Sequence, residues 1–285
     1  MDFKRIKRKK LKYEIIFIFL GVIWLIALII GLAIGIGGAI LFEDADVFEF
    51  GLLPFALVSG IIYGVYRKFK KQSLKFKKMF VSTELKRILP NVTYSPEEGL
   101  AREDVFETEL ITHHLGFESE DLITGNISSI DFKASDVYVS QYQRGKHTRA
   151  GNVYFKGQFF IIDIKEKSEE MVYVIPKNNK FFNVKKEYIK PELEWVKFNK
   201  QFNVYSKTNQ ATFKVVKPRF MERMANANDL ERLTAFAFYH NKLYVAINTN
   251  IDTFDLRLYR SINKRFFEEI RRQIYFVKEI IETLK

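Results

Sequence analysis

The chain has 285 residues, of which 47% are hydrophobic and 15% aromatic, and its formal net charge is +12. This content of apolar and aromatic residues excludes an intrinsically disordered chain and is enough for a membrane segment and one or two packed domains. The chain contains no cysteine, which excludes disulfide bonds, cysteine zinc sites, iron–sulfur clusters and thiol catalysis.

Most of the positive charge lies near the N-terminus. Residues 1–78 contain 14 Lys and Arg against 6 Asp and Glu, so this quarter of the chain carries +8 of the total. The basic residues fall into two clusters, at 4–12 and 67–78, and each cluster adjoins an apolar run. The charge therefore indicates a membrane surface and not nucleic acid.

Two apolar runs predict a transmembrane hairpin over residues 15–66. The first, 15–42, has no charged residue and would span about 42 Å as a helix, which exceeds the roughly 30 Å hydrocarbon core. The second, 50–66, is shorter and contains Pro54. Four acids and no base lie between them. The positive-inside rule then places both termini in the cytoplasm of a multi-pass protein of a bacterial inner membrane.

A cleaved signal peptide is the main alternative, because it also begins with basic residues and an apolar run. The run here is about twice the usual h-region of roughly 7–15 residues, and a second run and basic cluster follow it. In the hairpin, Gly21 is predicted to pack near Gly60, and Gly35 or Ala39 near Gly51, because small residues at matched depths let membrane helices approach.

Residues 67–89 lack Pro and Gly, and their apolar residues recur at helical spacing, which predicts a basic amphipathic linker helix. Its lysines are predicted to contact anionic lipid headgroups. This predicted membrane-surface set is Lys68, Lys70, Lys71, Lys75, Lys77 and Lys78.

Residues 90–285 predict a cytoplasmic α+β domain with a mixed, largely antiparallel sheet. A short helix is expected over 100–111, and another from Pro218. Apolar residues at period two predict strands joined as hairpins, with His240 and Asn241 in one of the turns. The predicted strands are 127–139, 153–161, 171–175, 195–205, 211–216, 234–239 and 243–247. A long amphipathic helix is expected at the C-terminus, where apolar residues recur at three- and four-residue steps from Ile262 to Ile281.

The residues that usually carry chemistry are sparse. His113 and His114 are adjacent and would point to opposite sides of a strand, and no histidine pair has metal-ligand spacing on a helix, so no metal and no cofactor is predicted. Glu118, Glu120 and Asp121 are interpreted as solvating a turn. The predicted basic loop, which could bind lipid phosphates or an acidic partner, consists of Arg144, Lys146, His147 and Arg149.

The stretches 89–96, 116–125, 153–163, 198–206, 218–224 and 241–247, in this order behind two apolar runs, resemble a bacterial membrane-protein family known as domain of unknown function 3137. The resemblance implies a membrane hairpin followed by a cytoplasmic domain. It supplies no catalytic residue.

We therefore expect a membrane-anchored protein whose cytoplasmic domain binds or scaffolds a protein partner or anionic lipid headgroups without catalysis. Catalysis stays open as an alternative, in the form of a membrane-anchored hydrolase or transferase that uses the region of His113 and His114. A second alternative is an oligomeric assembly subunit whose Gly31 and Gly35 face packs against another copy. Nucleic acid is not an expected partner.

Overall fold

The structure is a computed structural model that describes residues 3–42, 49, 51–89, 91–141, 152–179, 182, 184, 187–225, 234–250, 254, 258–259 and 264–283. The chain forms two compact units. The first comprises Met1–Phe76 with Leu256–Phe266, and the second comprises Lys77–Asp255 with Phe267–Lys285.

The first unit contains helices α1 (Phe3–Phe42) and α2 (Leu53–Phe76). They run antiparallel: the ring of Tyr13 lies 5.6 Å from that of Phe69, and Trp24 lies 4.8 Å from Phe55. Trp24 Nε1 also donates a hydrogen bond of 2.9 Å to Ser59 Oγ. These contacts align the start of α1 with the end of α2.

Among the described residues, one helix is long and apolar enough to cross a membrane, namely α1 over Arg5–Gly38. Its 34 residues would extend about 51 Å, more than a hydrocarbon core requires. Helix α2 does not meet the same criterion. Its apolar part ends at Tyr66, and five of its last ten residues are Lys or Arg.

The second unit begins with a π-helical turn, Lys77–Val81. It then contains a six-stranded sheet and several helices: α3 (Ser82–Ile88), β1 (Val92–Ser95), α4 (Arg102–Phe106), β2 (Gly116–Ile127), β3 (Ile130–Ser140), β4 (Val153–Pro176), α5 (Val196–Asn199), β5 (Phe202–Ser206), α6 (Asn209–Val215), α7 (Pro218–Ala225), β6 (Thr234–Ile247) and α8 (Lys264–Thr283). The strands are ordered β1-β2-β3-β4-β5, and β6 pairs with β4. Every pairing is antiparallel, which confirms the α+β prediction and the largely antiparallel sheet.

Strand β4 is the centre of the sheet. Its first half pairs with β3 and its second half with β5, while β6 runs along the other edge. The prediction of separate strands over 153–161 and 171–175 was wrong, because 24 consecutive residues form one strand. Strand β6 is likewise continuous through His240, whose φ of 52° belongs to an irregular part of the ladder and not to a hairpin turn. The polar residues that were predicted to form turns lie in irregular, bulged parts of the continuous strands.

Three other elements differ from the prediction. Residues 211–216, predicted as a strand, belong mostly to α6, whose N-terminus is capped by the Thr208 hydroxyl accepting from Ala211 N. The strand predicted over 195–205 is divided between α5 and β5, and the helix predicted over 100–111 is limited to α4. Helix α7 begins at Pro218, as predicted.

The core of this unit lies on both faces of the sheet. On one face, α4 and the turn after it pack over Phe159 and Tyr244. Tyr173 there donates a hydrogen bond of 2.6 Å to the carbonyl of Thr108. On the other face, Phe220 of α7 meets the rings of Phe236 and Phe238 edge-on, at 5.2 and 5.6 Å. Because side chains alternate along β6, this one strand contributes core residues to both faces of the sheet.

Candidate functional site

Four of the predicted membrane-surface lysines are exposed on α2, namely Lys68, Lys70, Lys71 and Lys75. Residues buried on the same helix are Phe69, Ser73 and Phe76. At about 100° per residue, the lysines and Arg67 occupy an arc of about 160° that excludes the buried residues. The helix therefore separates an aromatic packing face from a cationic exposed face.

The N-terminal basic cluster lies beside these lysines, because Tyr13 and Phe17 of α1 contact Phe69 of α2. Lys10 is buried and pairs with Glu14. We call the exposed cations of this end of the first unit the basic helix end. Its members are Arg5, Lys7, Arg8, Lys9 and Lys12 on α1, and Arg67, Lys68, Lys70, Lys71 and Lys75 on α2.

Lys77 was wrongly assigned to the membrane surface. Its side chain is 3% exposed, and its Nζ lies 2.6 Å from Asp121 Oδ2 and 3.6 Å from Glu120 Oε2. Lys78 is exposed, with its Nζ 2.7 Å from Glu97 Oε2. The two lysines differ because successive residues of a helical turn point about 100° apart, so that one faces the sheet and the other faces solvent.

Asp121 is the centre of a buried charged cluster in the second unit. It is fully buried, and the register of β2 shifts between Glu120 and Ile123. Tyr94 donates a hydrogen bond to its Oδ1, and Lys77 donates to its Oδ2. Burial raises the pKa of Asp121 to about 7, although Lys77 and Tyr94 act in the opposite direction. The interpretation of this residue as part of a solvated turn was therefore wrong.

Of the two predicted glycine contacts, only the one that involves Gly51 is a close contact. Gly51 lies directly against α1, since a Cβ on Gly31 would be 2.3 Å from Gly51 O and a Cβ on Gly51 would be 2.8 Å from Gly35 Cα. A Cβ on Gly21 or Gly60 would have nothing within 4 Å, so these two glycines do not make a close approach. The Gly31 and Gly35 face, a candidate for oligomerisation by sequence, is occupied by Gly51 of the same chain.

The two adjacent histidines pack against aromatic rings. The His114 ring stacks on Tyr154 at 3.5 Å, and the His113 ring lies 4.1 Å from Phe106. Burial, and then the charge of His113, lower the pKa of His114. Within the described part of the chain, no group of three or more His, Cys, Asp or Glu residues could hold a metal ion.

The predicted basic loop, Arg144, Lys146, His147 and Arg149, lies outside the described residues. Its flanks are joined by a hydrogen bond of 3.0 Å from Gln141 N to the carbonyl of Asn152. Its role stays a prediction.

An open groove of about 660 Å³ lies at one end of the sheet. Both signs of charge line it, with Asp104, Asp131 and Asp163 beside Lys133 and Lys242. Lys242 pairs in register with Asp163 across β4 and β6, so opposite charges are neighbours on the groove wall. Such a surface offers hydrogen-bond donors and acceptors to a polar ligand or peptide.

The pairing of Lys77 with Asp121 was not predicted from the sequence. Lys77 follows Ser73 by four residues and precedes Phe80 by three, so its helical spacing already placed it with apolar and small residues. Its partner had no comparable signal, because Asp121 is 44 residues away and reaches Lys77 only through the sheet.

Residues 153–285 match the model of a family described as a protein of unknown function (DUF3137). Two of the stretches that suggested this family, 89–96 and 116–125, precede the matched range. No curated protein matches the chain. Among solved structures, the crystal structure of the mycobacterial trehalose monomycolate transport factor A, TtfA, is weakly similar, with a TM-score of 0.36 and 12% identity over 68% of this chain and 89% of that chain.

Proposed function

We propose that the chain, whose residues 153–285 match the model of the DUF3137 family of proteins of unknown function, is a membrane-anchored binding module whose basic helix end holds anionic lipid headgroups. In this proposal the lipid contact fixes the anchor, and the second unit is available to a protein partner. The function is non-catalytic.

The proposed anchor consists of both helices of the first unit. Helix α1 is long enough to cross the bilayer. Helix α2 returns beside it, starting near Gly31 and Gly35 and ending near Tyr13, so its apolar part lies at the depth of the apolar part of α1. Only about 21 Å of α2, from Leu53 to Tyr66, is apolar, so we expect the bilayer to thin locally around it.

The orientation follows from charge in this proposal. Both basic segments lie at one end of the helix pair, and the four acids of residues 43–49 come between the helices in the sequence. The positive-inside rule places the basic end, and with it both termini, on the cytoplasmic side of a bacterial inner membrane. A reporter fused to the C-terminus is expected to be active in the cytoplasm. Activity only in the periplasm would refute this orientation.

The observation that carries the proposal is the exposure of ten cations at one end of the antiparallel helices α1 and α2. Each Lys or Arg near an anionic bilayer surface contributes about 1 kcal/mol. The ten cations lie side by side, so their interactions with the same lipids add only in part. Screening by salt should weaken the contact, because the Debye length falls to about 3 Å at 1 M salt.

The test measures which lipid adjoins α1 in the full chain. Trp24 lies in α1, and the second tryptophan, Trp195, is replaced by Phe so that Trp24 alone is observed. Quenching by brominated phosphatidylglycerol and by brominated phosphatidylcholine, in bilayers that contain both lipids, gives their relative affinities. We expect an affinity ratio of about 3 to 10 in favour of the anionic lipid, which corresponds to about 0.7 to 1.4 kcal/mol.

The decisive variant replaces Lys68, Lys70, Lys71 and Lys75 by Gln. The matched control replaces four exposed lysines of the second unit, at positions 165, 200, 207 and 217, so that the change in net charge is equal. The preference for anionic lipid should fall in the first variant and persist in the control. An equal fall in the preference for anionic lipid in both variants would show that net charge, and not the basic helix end, selects the lipid.

A further inference from the structure

Helices α5 and α6 and the start of α7 carry an uninterrupted run of positive charge. Residues 195–221 contain six Lys and Arg and no Asp or Glu, and all six cations are exposed. A large apolar ring accompanies them, because Phe213 of α6 is 55% exposed. We call this surface of the second unit the basic face. Its members are Phe213 with Lys197, Lys200, Lys207, Lys214, Lys217 and Arg219.

The packing of α6 on β4 and β5 directs this surface outward. The buried residues of α6 are Ala211, Thr212 and Val215. Phe213 and Lys214 project from the side of the helix that these residues leave exposed. Two carboxylates border the basic face: Glu170 Oε2 accepts a hydrogen bond of 2.9 Å from Thr208 Oγ1, and Glu169 interacts electrostatically with Lys214.

Negative charge is concentrated around α4 of the same unit. Residues 97–109 contain six Asp and Glu against one Arg. Lys78 pairs with Glu97, and Tyr244 donates a hydrogen bond to Glu107. We call the exposed carboxylates of this segment the acidic face. Its members are Glu97, Glu98, Glu103 and Glu107.

The two charged faces lie on opposite sides of the sheet. Tyr173 of β4 points toward the turn after α4, where it donates its hydrogen bond to Thr108. The preceding residue, Val172, pairs with Ser206 of β5, whose Oγ accepts a hydrogen bond of 2.8 Å from Thr212 of α6. Successive side chains of a strand point to opposite faces, so α4 and α6 are on different sides. The two faces are therefore on the order of 20 Å apart, beyond the Debye length of about 8 Å at physiological ionic strength.

We propose that the basic face binds the acidic face of a second copy of this chain. Within one copy the sheet keeps the two faces apart, whereas between copies they can meet directly. Each copy retains one unused face of each sign after the first contact, so the contact is heterologous and can continue from copy to copy. Phe213 supplies the apolar part of the contact. The proposal rests on the second unit alone and is independent of lipid binding by the basic helix end.

The contact is expected to be weak and reversible. Exposed ion pairs contribute about 0–1 kcal/mol each. Anchoring in one membrane raises the effective concentration of the copies, which favours weak contacts. Salt should dissociate the copies, because the Debye length falls to about 3 Å at 1 M salt.

The experiment measures energy transfer between copies of the full chain in nonionic detergent without lipid. The chain contains no cysteine, so one cysteine added after Lys285 takes a donor or an acceptor dye. Energy transfer between the two labelled populations should rise with protein concentration at low salt and disappear at 1 M salt. A chain that stays monomeric at low salt, or an association that persists at 1 M salt, would overturn the proposal.

Two lysine variants separate this contact from the basic helix end. Replacing Lys165, Lys200, Lys207 and Lys217 by Gln removes three cations of the basic face, and should weaken the association about tenfold or more. Replacing Lys68, Lys70, Lys71 and Lys75 by Gln changes the net charge equally and should leave the association intact. The preference for anionic lipid is expected to respond in the opposite way, so either proposal can fail without the other. Association lost only in the second variant would mean that the acidic face binds the basic helix end, which refutes the basic face as its partner.

A mixing experiment distinguishes a direct contact from a structural defect. The acidic-face variant replaces Glu97, Glu98 and Glu103 by Gln, all at exposed positions. Each variant alone should associate weakly, because every possible contact lacks one charged face. A mixture of the donor-labelled acidic-face variant and the acceptor-labelled basic-face variant should regain energy transfer, since the former keeps an intact basic face and the latter an intact acidic face. A mixture that stays as weakly associated as the separate variants would contradict the contact.

Discussion

The closest approach between α1 and α2 gives a sharp test of the first unit. In Gly31→Ala the added Cβ would lie 2.3 Å from the carbonyl oxygen of Gly51, whereas ordinary contact begins near 3.4 Å. The obstacle is backbone, so it cannot rotate away. The helices must separate locally by about 1 Å to accept the methyl group.

The cost depends on the contacts that this separation breaks. Trp24 Nε1 lies 2.9 Å from Ser59 Oγ, and a shift of about 1 Å takes this pair beyond hydrogen-bond distance. Overpacking costs about 1–3 kcal/mol, and an interhelical hydrogen bond in a membrane contributes about 0.6 kcal/mol. We therefore expect Gly31→Ala to destabilise the helix pair by about 2–4 kcal/mol.

The assay follows Trp24 emission during thermal denaturation of the full chain in detergent, again with Trp195→Phe as background. Gly21→Ala is the matched control, because it adds the same methyl group to the same helix at a site with nothing within 4 Å. The midpoint should fall in Gly31→Ala and stay within error in Gly21→Ala. Equal midpoints would mean that the two helices do not approach at Gly31.

Three further predictions concern the second unit. Burial, and a hydrogen bond to Glu107, raise the pKa of Tyr244, so the folded state keeps the Tyr244 proton at a pH where the unfolded chain loses it. The free energy of unfolding should therefore fall as pH rises above about 10. Tyr244→Phe should weaken this pH dependence in denaturant titrations. Phe220→Ala should cost about 3–5 kcal/mol of unfolding free energy, because the ring is 2% exposed, whereas Phe213→Ala, at a ring 55% exposed, should cost less than about 1 kcal/mol in the same urea titration. In Gly157→Ala a Cβ would lie 1.9 Å from the main-chain oxygen of Ile247 in β6, so soluble yield and melting temperature should drop well below those of the neighbouring Lys156→Ala; comparable values would refute the pairing of β4 with β6 in this register.

Much of the local structure could be predicted from local patterns. The apolar run of α1, the arc of lysines on α2 and the start of α7 at Pro218 depend on residues within one or two turns of each other. Strands β1 and β2 were not predicted; β3, β4, β5 and β6 were predicted in outline, because side-chain alternation is a local property. Their number was not, since a bulge and a turn draw on the same polar residues and differ only in the pairing of the chain beyond them.

The same distinction between local patterns and long-range contacts applies to the candidate site. Exposure of Lys68, Lys71 and Lys75 could be predicted from helical spacing, whereas the burial of Lys77 could not, because its counter-ion comes from another part of the chain. Gly51 was predicted near Gly35 from depth alone, but the open surroundings of Gly21 depend on how the two helices diverge.

The amino-acid sequence by itself determined the apolar helix, the cationic segments beside it and the α+β class of the C-terminal domain, because each rests on periodicity or charge over neighbouring residues. Only the tertiary structure decided which cation is buried and which glycine is in contact. Both depend on the distance between residues far apart in the chain, and that distance is set by the packing of complete helices and sheets.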